Sequence, residues 1–231
     1  MLQNQRILIT GIAGSIGSEL LRQLAPHNEI FGLDIDETRL FDLVEEYRLA
    51  GLPFLGRIGD IRDKDTVKEI FKGSFPSVVF HAAALKHVTP NEMFPEEAIK
   101  TNVLGTLNVL KEARNAKVEK FVYISTDKVV NAYSIMGATK KLGELLTKSF
   151  GYTVVRFGNV LGSRGSVLPI WQRQIDAGKS LTVTDERMER YVMTIEEACE
   201  LLISAAEEGE GGEIRIMDMG ERVNILELAR D

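Results

Sequence analysis

The feature that most constrains this chain is a set of three glycines set directly behind a short apolar run. Arg6-Ile7-Leu8-Ile9-Thr10 reads as a β-strand, and it passes straight into Gly11-Ile12-Ala13-Gly14-Ser15-Ile16-Gly17. Gly11 lets the chain turn tightly off the strand, Gly14 lets the backbone approach a pyrophosphate, and Gly17 lets the next helix pack close to the sheet. The helix start at Ser15 and Ile16 offers free amides and the positive end of its dipole to phosphate. Glycines also serve ordinary turns. Between a strand and a helix, in the first βα unit, they point to a dinucleotide site.

The rest of the chain extends that unit. Strand-like runs at Glu29–Asp34, Phe54–Ile58, Ser77–His81, Phe121–Ser125 and Tyr152–Arg156 alternate with helical patterns. The helical patterns are Ser15–Leu24, Glu37–Ala50, Asp65–Phe71, Glu96–Asn115 and Ile135–Ser149. The first and fifth strands are nearly continuous apolar runs, as expected of parallel strands covered on both faces. The alternation predicts an α/β fold, a Rossmann-type doubly wound parallel sheet. After Arg156 the loops lengthen, with short strands expected at Leu181–Val183 and Glu213–Met217 and a helix at Ile225–Arg230. Residues 1–156 are therefore read as the dinucleotide-binding core. Residues 157–231 are read as substrate-binding loops and a small, incomplete C-terminal subdomain interleaved with it.

Composition limits the function classes. With 44% hydrophobic and 27% charged residues a well-filled core is available and disorder is disfavoured. The net charge of -6 makes a general nucleic-acid or anionic-membrane binder a poor fit. No apolar stretch reaches the length of a bilayer span, and the chain starts directly on a strand-like run, so a cytoplasmic location without membrane attachment is expected. The single cysteine, Cys199, lies in the apolar run Ala198–Leu202 and reads as a small buried residue. No metal site is expected.

Further residues fit the dinucleotide site. Asp34 ends the second strand, where a carboxylate can accept from the adenosine ribose hydroxyls and repel a 2′-phosphate. That favours NAD over the alternative, NADP. A helix-capping role is the other reading of Asp34, and Asp36 can take that role instead. Asp60 and Ile61 follow the third strand and are candidates to cover the adenine. Ala82, Ala83 and Ala84 follow the fourth and are small enough to let the backbone approach the cofactor.

The fifth strand ends in Ile124-Ser125-Thr126-Asp127-Lys128, and a helix then carries Met136-Gly137-Ala138-Thr139-Lys140. With His81–Val88, Arg156–Ser163 and Arg190–Thr194, these segments resemble the extended short-chain dehydrogenase/reductases. Among them the chain is similar to the bacterial polysaccharide-biosynthesis UDP-N-acetylglucosamine 4,6-dehydratases. The resemblance runs over nearly the whole chain and implies a nucleotide-sugar 4,6-dehydratase. In that reaction a bound nicotinamide takes a hydride from C4, a base removes the C5 proton, an acid helps the C6 hydroxyl leave, and the hydride returns to C6.

The resemblance also implies roles. Asp127 would protonate the C6 leaving group and Lys128 would take the C5 proton; the plain alternative is a strand-end ion pair. Lys140 would hold the nicotinamide ribose, and Lys86 would lie near the sugar and cofactor. Met136 stands where most of the superfamily has a proton-transferring Tyr, as in a Met-containing subgroup of these dehydratases. Methionine carries no proton, so the base for the C4 hydroxyl stays open among Asp127, Lys128 and a water held by Lys140. Tyr133 lies three residues early and is read as structural.

Ser125 and Thr126 can hydrogen-bond substrate hydroxyls. Asn159 and Arg190 are the candidates for the nucleotide end, Arg190 as a planar fork for phosphate. Gly162, Gly165 and Ser166 can shape a loop over the diphosphate. Arg164 and Lys179 read as solvated charges, and His87 and His27 receive no role. The competing readings are a UDP-hexose C4 epimerase and a cofactor- or UDP-sugar-binding module without turnover. A homo-oligomer is expected, paired through the helices at 96–115 and 135–149. Ile99, Val103, Leu107 and Leu110 form an apolar stripe on the first of these, with packing against the sheet as its other reading.

Overall fold

The computed structural model describes residues 2–217, 219 and 221–230. Strands β1 (Arg6–Thr10), β2 (Glu29–Asp34), β3 (Phe54–Ile58), β4 (Val78–His81), β5 (Lys120–Thr126) and β6 (Thr153–Phe157) are joined by β9 (Ile214–Ile216) in one sheet. Its order is β3-β2-β1-β4-β5-β6-β9, with every pairing parallel. A smaller sheet combines β7 (Asn159–Val160), β8 (Glu189–Met193) and β10 (Arg222–Asn224) in the order β10-β8-β7.

The continuous apolar runs work as the sequence requires. Period-2 alternation within β1 sends Ile7 and Ile9 to one face and Leu8 to the other. On the first face they meet α1 (Ser15–Leu24), α2 (Glu37–Leu49) and α9 (Ile195–Glu208). On the second they meet α3 (Lys64–Ser74) and α6 (Thr106–Asn115), with Leu146 of α7 (Ile135–Ser149) packed alongside. Both faces of the sheet are covered, so ligands are left with the C-terminal ends of the strands. Cys199 lies on α9 and is fully buried.

Three local expectations need correction. The helix expected over 96–115 is interrupted. After α4 (Val88–Met93) come α5 (Pro95–Ala98), a π-helical stretch over Ile99–Gly105, and then α6. Within the π-helical stretch, buried Asn102 accepts from Leu85 N at 2.8 Å and donates to Leu85 O at 3.0 Å and Thr139 Oγ1 at 3.1 Å. The wider turn breaks the expected stripe, leaving Leu110 fully buried while Ile99 is 46% exposed. The strand expected at Leu181–Val183 is absent. Thr182 N donates instead to Gln174 Oε1 at 3.1 Å, and Thr182 O accepts from Trp171 Nε1 at 3.0 Å, so side chains of α8 (Val167–Asp176) take the place of a ladder. The last helix is a single turn, α10 (Ile225–Leu228). Among the described residues, no helix is long and apolar enough to cross a membrane.

Candidate active site

The sheet order reverses between β1 and β4, and a cleft of about 720 Å³ opens there over the strand ends. Gly11, Gly14, Ser15, Ile16 and Gly17 form one wall. Gly11 has φ +72°, and a Cβ on it would lie 2.7 Å from Ala83 N. A Cβ on Gly17 would lie 2.2 Å from Gly11 O. Gly14 caps α1 without a side-chain bond, which leaves the first amides of the helix for a ligand. A bare turn and an uncapped helix start facing a cleft fit a dinucleotide pyrophosphate.

Around that wall the expected cofactor residues divide. Ala82 and Ala84 line the cleft, whereas Ala83 packs behind Gly11. Asp34 accepts from Ala13 N at 2.8 Å and Asp36 N at 2.9 Å, and Asp36 caps α2 through Arg39 N. Asp34 is thus not a helix cap; it stands at the end of β2 and ties down the glycine turn. Arg39, which sequence reading missed, lines the cleft. A cation there offsets the repulsion that Asp34 exerts on a 2′-phosphate. Asp60 is held by Arg62, 2.8 Å from its N and 2.6 Å from its Nε, and Ile61 is buried against Gly105. Neither Asp60 nor Ile61 is among the residues lining the cleft.

The far wall carries the reactive groups. β5 ends at Thr126, and a 3-10 turn over Asp127–Val129 follows. Lys128 Nζ donates to Asp127 Oδ1 at 3.0 Å and to Asn159 Oδ1 at 2.8 Å, while Thr126 Oγ1 donates to Asp127 Oδ1 at 2.9 Å. The carboxyl, amine and carboxamide picked from separate stretches of sequence therefore converge. Met136 is buried and lines the cleft, as does Lys140. Lys140 Nζ donates to Ile124 O and sits 4.2 Å from the Tyr123 ring centroid. Burial lowers the Lys140 pKa to about 7, with Glu144 acting in the opposite direction.

Ser125 lines the cleft, as expected of a substrate contact, but its hydroxyl is also engaged behind it. Its hydroxyl donates to Glu144 Oε1 at 2.7 Å, and Glu144 takes two bonds from Arg156, at 2.6 and 2.5 Å. This buried triad was not anticipated, although Glu144 lies four residues after Lys140 and so shares its helical face. Behind the cleft, His81 is fastened between Thr10 Oγ1 at 2.6 Å and Thr106 Oγ1 at 3.0 Å. Burial drops its pKa to about 3, which keeps the ring neutral.

Lys86 lines the cleft with its amine 3.5 Å from Ser163 Oγ, and burial lowers its pKa. Ser166 begins α8 without capping it, and its buried hydroxyl has no partner among the described residues. Arg190 departs from expectation, since the structure does not bring it to the cleft shared by Asn159 and Ser166. It lines an adjacent cavity of about 520 Å³ with Asp127, Lys128, Tyr133, Tyr191 and Arg222, and donates to Glu189 O at 2.8 Å. Tyr133, read as structural, is 94% exposed on that cavity. Arg222, not foreseen, lies over the Tyr191 ring at 5.1 Å. Arg164, read as a solvated charge, is exposed yet lines the cleft: its guanidinium donates to Ala13 O, and its backbone N donates to Ser15 Oγ at 3.0 Å.

The chain has relatives among known proteins. A family described as "Polysaccharide biosynthesis protein" matches residues 7–231. The capsular polysaccharide biosynthesis protein CapD of Staphylococcus aureus is 42% identical over 100% of this chain, which spans only 40% of that protein. A protein of Rickettsia rickettsii named UDP-glucose 4-epimerase is 41% identical over 93% of this chain and 66% of its own length. Among solved structures, Pen from Bacillus thuringiensis is 36% identical with a TM-score of 0.93, covering 99% of this chain and 72% of that one.

Proposed function

The chain belongs to the polysaccharide biosynthesis protein family, and from that premise we propose that it is a nicotinamide-dependent nucleotide-sugar 4,6-dehydratase. The substrate we propose is UDP-N-acetylglucosamine or a related UDP-hexose, converted to a 4-keto-6-deoxy sugar with loss of water. The observation that carries this reading is the Asp127–Lys128–Asn159 cluster: Lys128 and Asn159 line the cleft across from the glycine turn, Asp127 is bonded to Lys128 at the edge of the adjoining cavity, and Met136 lines the cleft where a phenol would otherwise be expected.

When bound, the dinucleotide supplies a reversible store for the hydride that leaves C4 and returns to C6. Gly14, Ser15 and Ile16 would hold its pyrophosphate through backbone amides, and Lys140 would hold the nicotinamide ribose. Met136 would pack beneath the ring and take no proton. Lys128 takes the C5 proton, and Asp127 gives a proton to the C6 oxygen as it departs as water; the proton that the C4 hydroxyl gives up to a neighbouring base as the hydride leaves balances the one that C5 regains as the hydride reaches C6. The 3.0 Å bond between these two residues lets the proton pass from one to the other, so acid and base are restored together. Ser166 and the start of α8 would receive the diphosphate of the substrate.

Epimerisation at C4 is the second reading, and the Rickettsia relative favours it by its name. It shares the C4 hydride step but keeps the C6 hydroxyl. Met136 and the adjoining acid–base pair favour dehydration. Incubation with UDP-N-acetylglucosamine followed by mass analysis separates the two. Loss of one water with no net consumption of cofactor is expected. A product of unchanged mass that chromatography separates from the substrate would replace dehydratase by epimerase, and unchanged substrate with cofactor-loaded protein would remove both.

We also propose a homo-oligomer. Exposed Ile99, Leu104, Leu142 and Leu145 lie on the π-helical stretch and α7, the segments read as pairing helices. Light scattering that gives a monomer mass at micromolar concentration would exclude it.

A further inference from the structure

We infer that Arg164 is a clasp that retains the dinucleotide, reaching from the substrate-binding side of the cleft onto the glycine turn. The inference rests on the reading that this cleft holds the cofactor. Arg164 lies 149 residues from Ser15 in sequence, yet its backbone N donates to Ser15 Oγ at 3.0 Å. Its guanidinium donates to Ala13 O. Ala13 and Ser15 flank Gly14, so the two bonds straddle the point where the backbone approaches a pyrophosphate. A segment with no role in forming the first βα unit is thereby fastened across it.

The loop that carries Arg164 is held from the opposite side as well. Gly162 and Gly165 have φ of +68° and +70°, which side chains resist. Gly165 runs against His87, and a Cβ there would lie 2.4 Å from the imidazole Cε1. Ser163 is buried, with its hydroxyl 3.5 Å from Lys86 Nζ. The loop therefore spans the cleft from the segment after β4 to the turn after β1, and leaves Arg164 at its crest.

The charge of Arg164 suits the position. Among the described residues it forms no ion pair; burial and the nearby Arg39 cation lower its pKa, and Asp36 and Asp34 oppose them only through space. A cation without a close carboxylate, beside the free amides of α1, favours a phosphate-bearing ligand beneath it. Such a clasp also matches the proposed chemistry. The hydride returns to the sugar in each cycle, so the cofactor has no need to leave between turnovers. Arg164 is a positioning residue, since it reaches no atom of the reacting sugar.

The test uses the full chain loaded with reduced dinucleotide, whose fluorescence reports its release when excess oxidised dinucleotide is added. Arg164→Ala removes the side-chain bond and Gly165→Ala displaces the loop, and each is expected to speed release by about tenfold. Arg164→Lys, which keeps a charge but not the fork, should restore part of the retention. The affinity for UDP, measured by calorimetry, should be unchanged in Arg164→Ala. A release rate within about twofold of wild type would overturn the clasp. So would a parallel loss of UDP affinity, the mark of a generally loosened cleft. Wild-type protein that binds no dinucleotide would overturn the cofactor reading itself, a result separable from the other two.

Discussion

Lys128 is held from two sides, by a carboxylate and by a carboxamide oxygen, and both partners lie at strand ends. Asp127 and Lys128 side chains are 27% and 38% exposed, so substitution there should leave the fold intact. Asp127→Asn and Lys128→Ala are each expected to lower turnover by about 10² or more. Wild-type rates in both variants would show that other groups move the protons. Lys140 supports a prediction about stability. Its pKa of about 7 in the folded chain lies below the ordinary 10.5, so the unfolded chain binds more protons across that window. Stability from this group therefore rises with pH between those values. Relative to Lys140→Met, the wild type should gain about 2 kcal/mol between roughly pH 7 and 9. Denaturant titrations at the two pH values measure it, and parallel curves would refute a buried, readily neutralised amine. The sequence made Lys128, Asp127 and Asn159 legible as chemistry-bearing residues at strand ends. The bond from Ser125 to Glu144 was not legible, because a serine hydroxyl looks the same in sequence whether or not a buried carboxylate lies beside it.

Within single elements the same division holds. β1 and β5 were recognisable because burial on both faces demands an unbroken apolar run, and α7 because its apolar spacing is regular. The interruption at 99–105 left no such mark. It depends on Asn102 bonding both polar groups of Leu85, a residue 17 positions away. α7 is joined to β6 by Glu144 and Arg156, whose side chains are 0% and 11% exposed. Removing Arg156 leaves the buried Glu144 carboxylate with the longer 3.4 Å contact to Lys141 as its one remaining ion pair among the described residues, so Arg156→Met is expected to cost about 3 kcal/mol. The double variant with Glu144→Leu should recover much of that loss. Additive losses in urea titrations would show that the pair is not coupled. Gly143 adds a steric condition on the same helix, because a Cβ there would lie 2.2 Å from the Tyr123 hydroxyl.

At the scale of the whole molecule, α9 packs beside α1, and Cys199 Sγ lies 3.6 Å from Ile16 O behind the glycine turn. Burial raises its thiol pKa. Reaction of Cys199 with a thiol reagent should therefore follow global unfolding, and bound dinucleotide should slow it further. Rapid labelling of the native protein would mean that α9 detaches from the core. The sequence by itself determined the parallel α/β sheet, the glycine turn and the identity of the residues at the strand ends, because local sterics and continuous burial leave their pattern in consecutive residues. Tertiary structure alone decided which of those residues share a cavity. It moved Arg190 to the neighbouring cavity, turned Ser125 toward Glu144, and brought Arg164 onto a turn 149 residues away. Such contacts depend on how loops from distant segments cross the sheet, and chain spacing carries no record of that crossing.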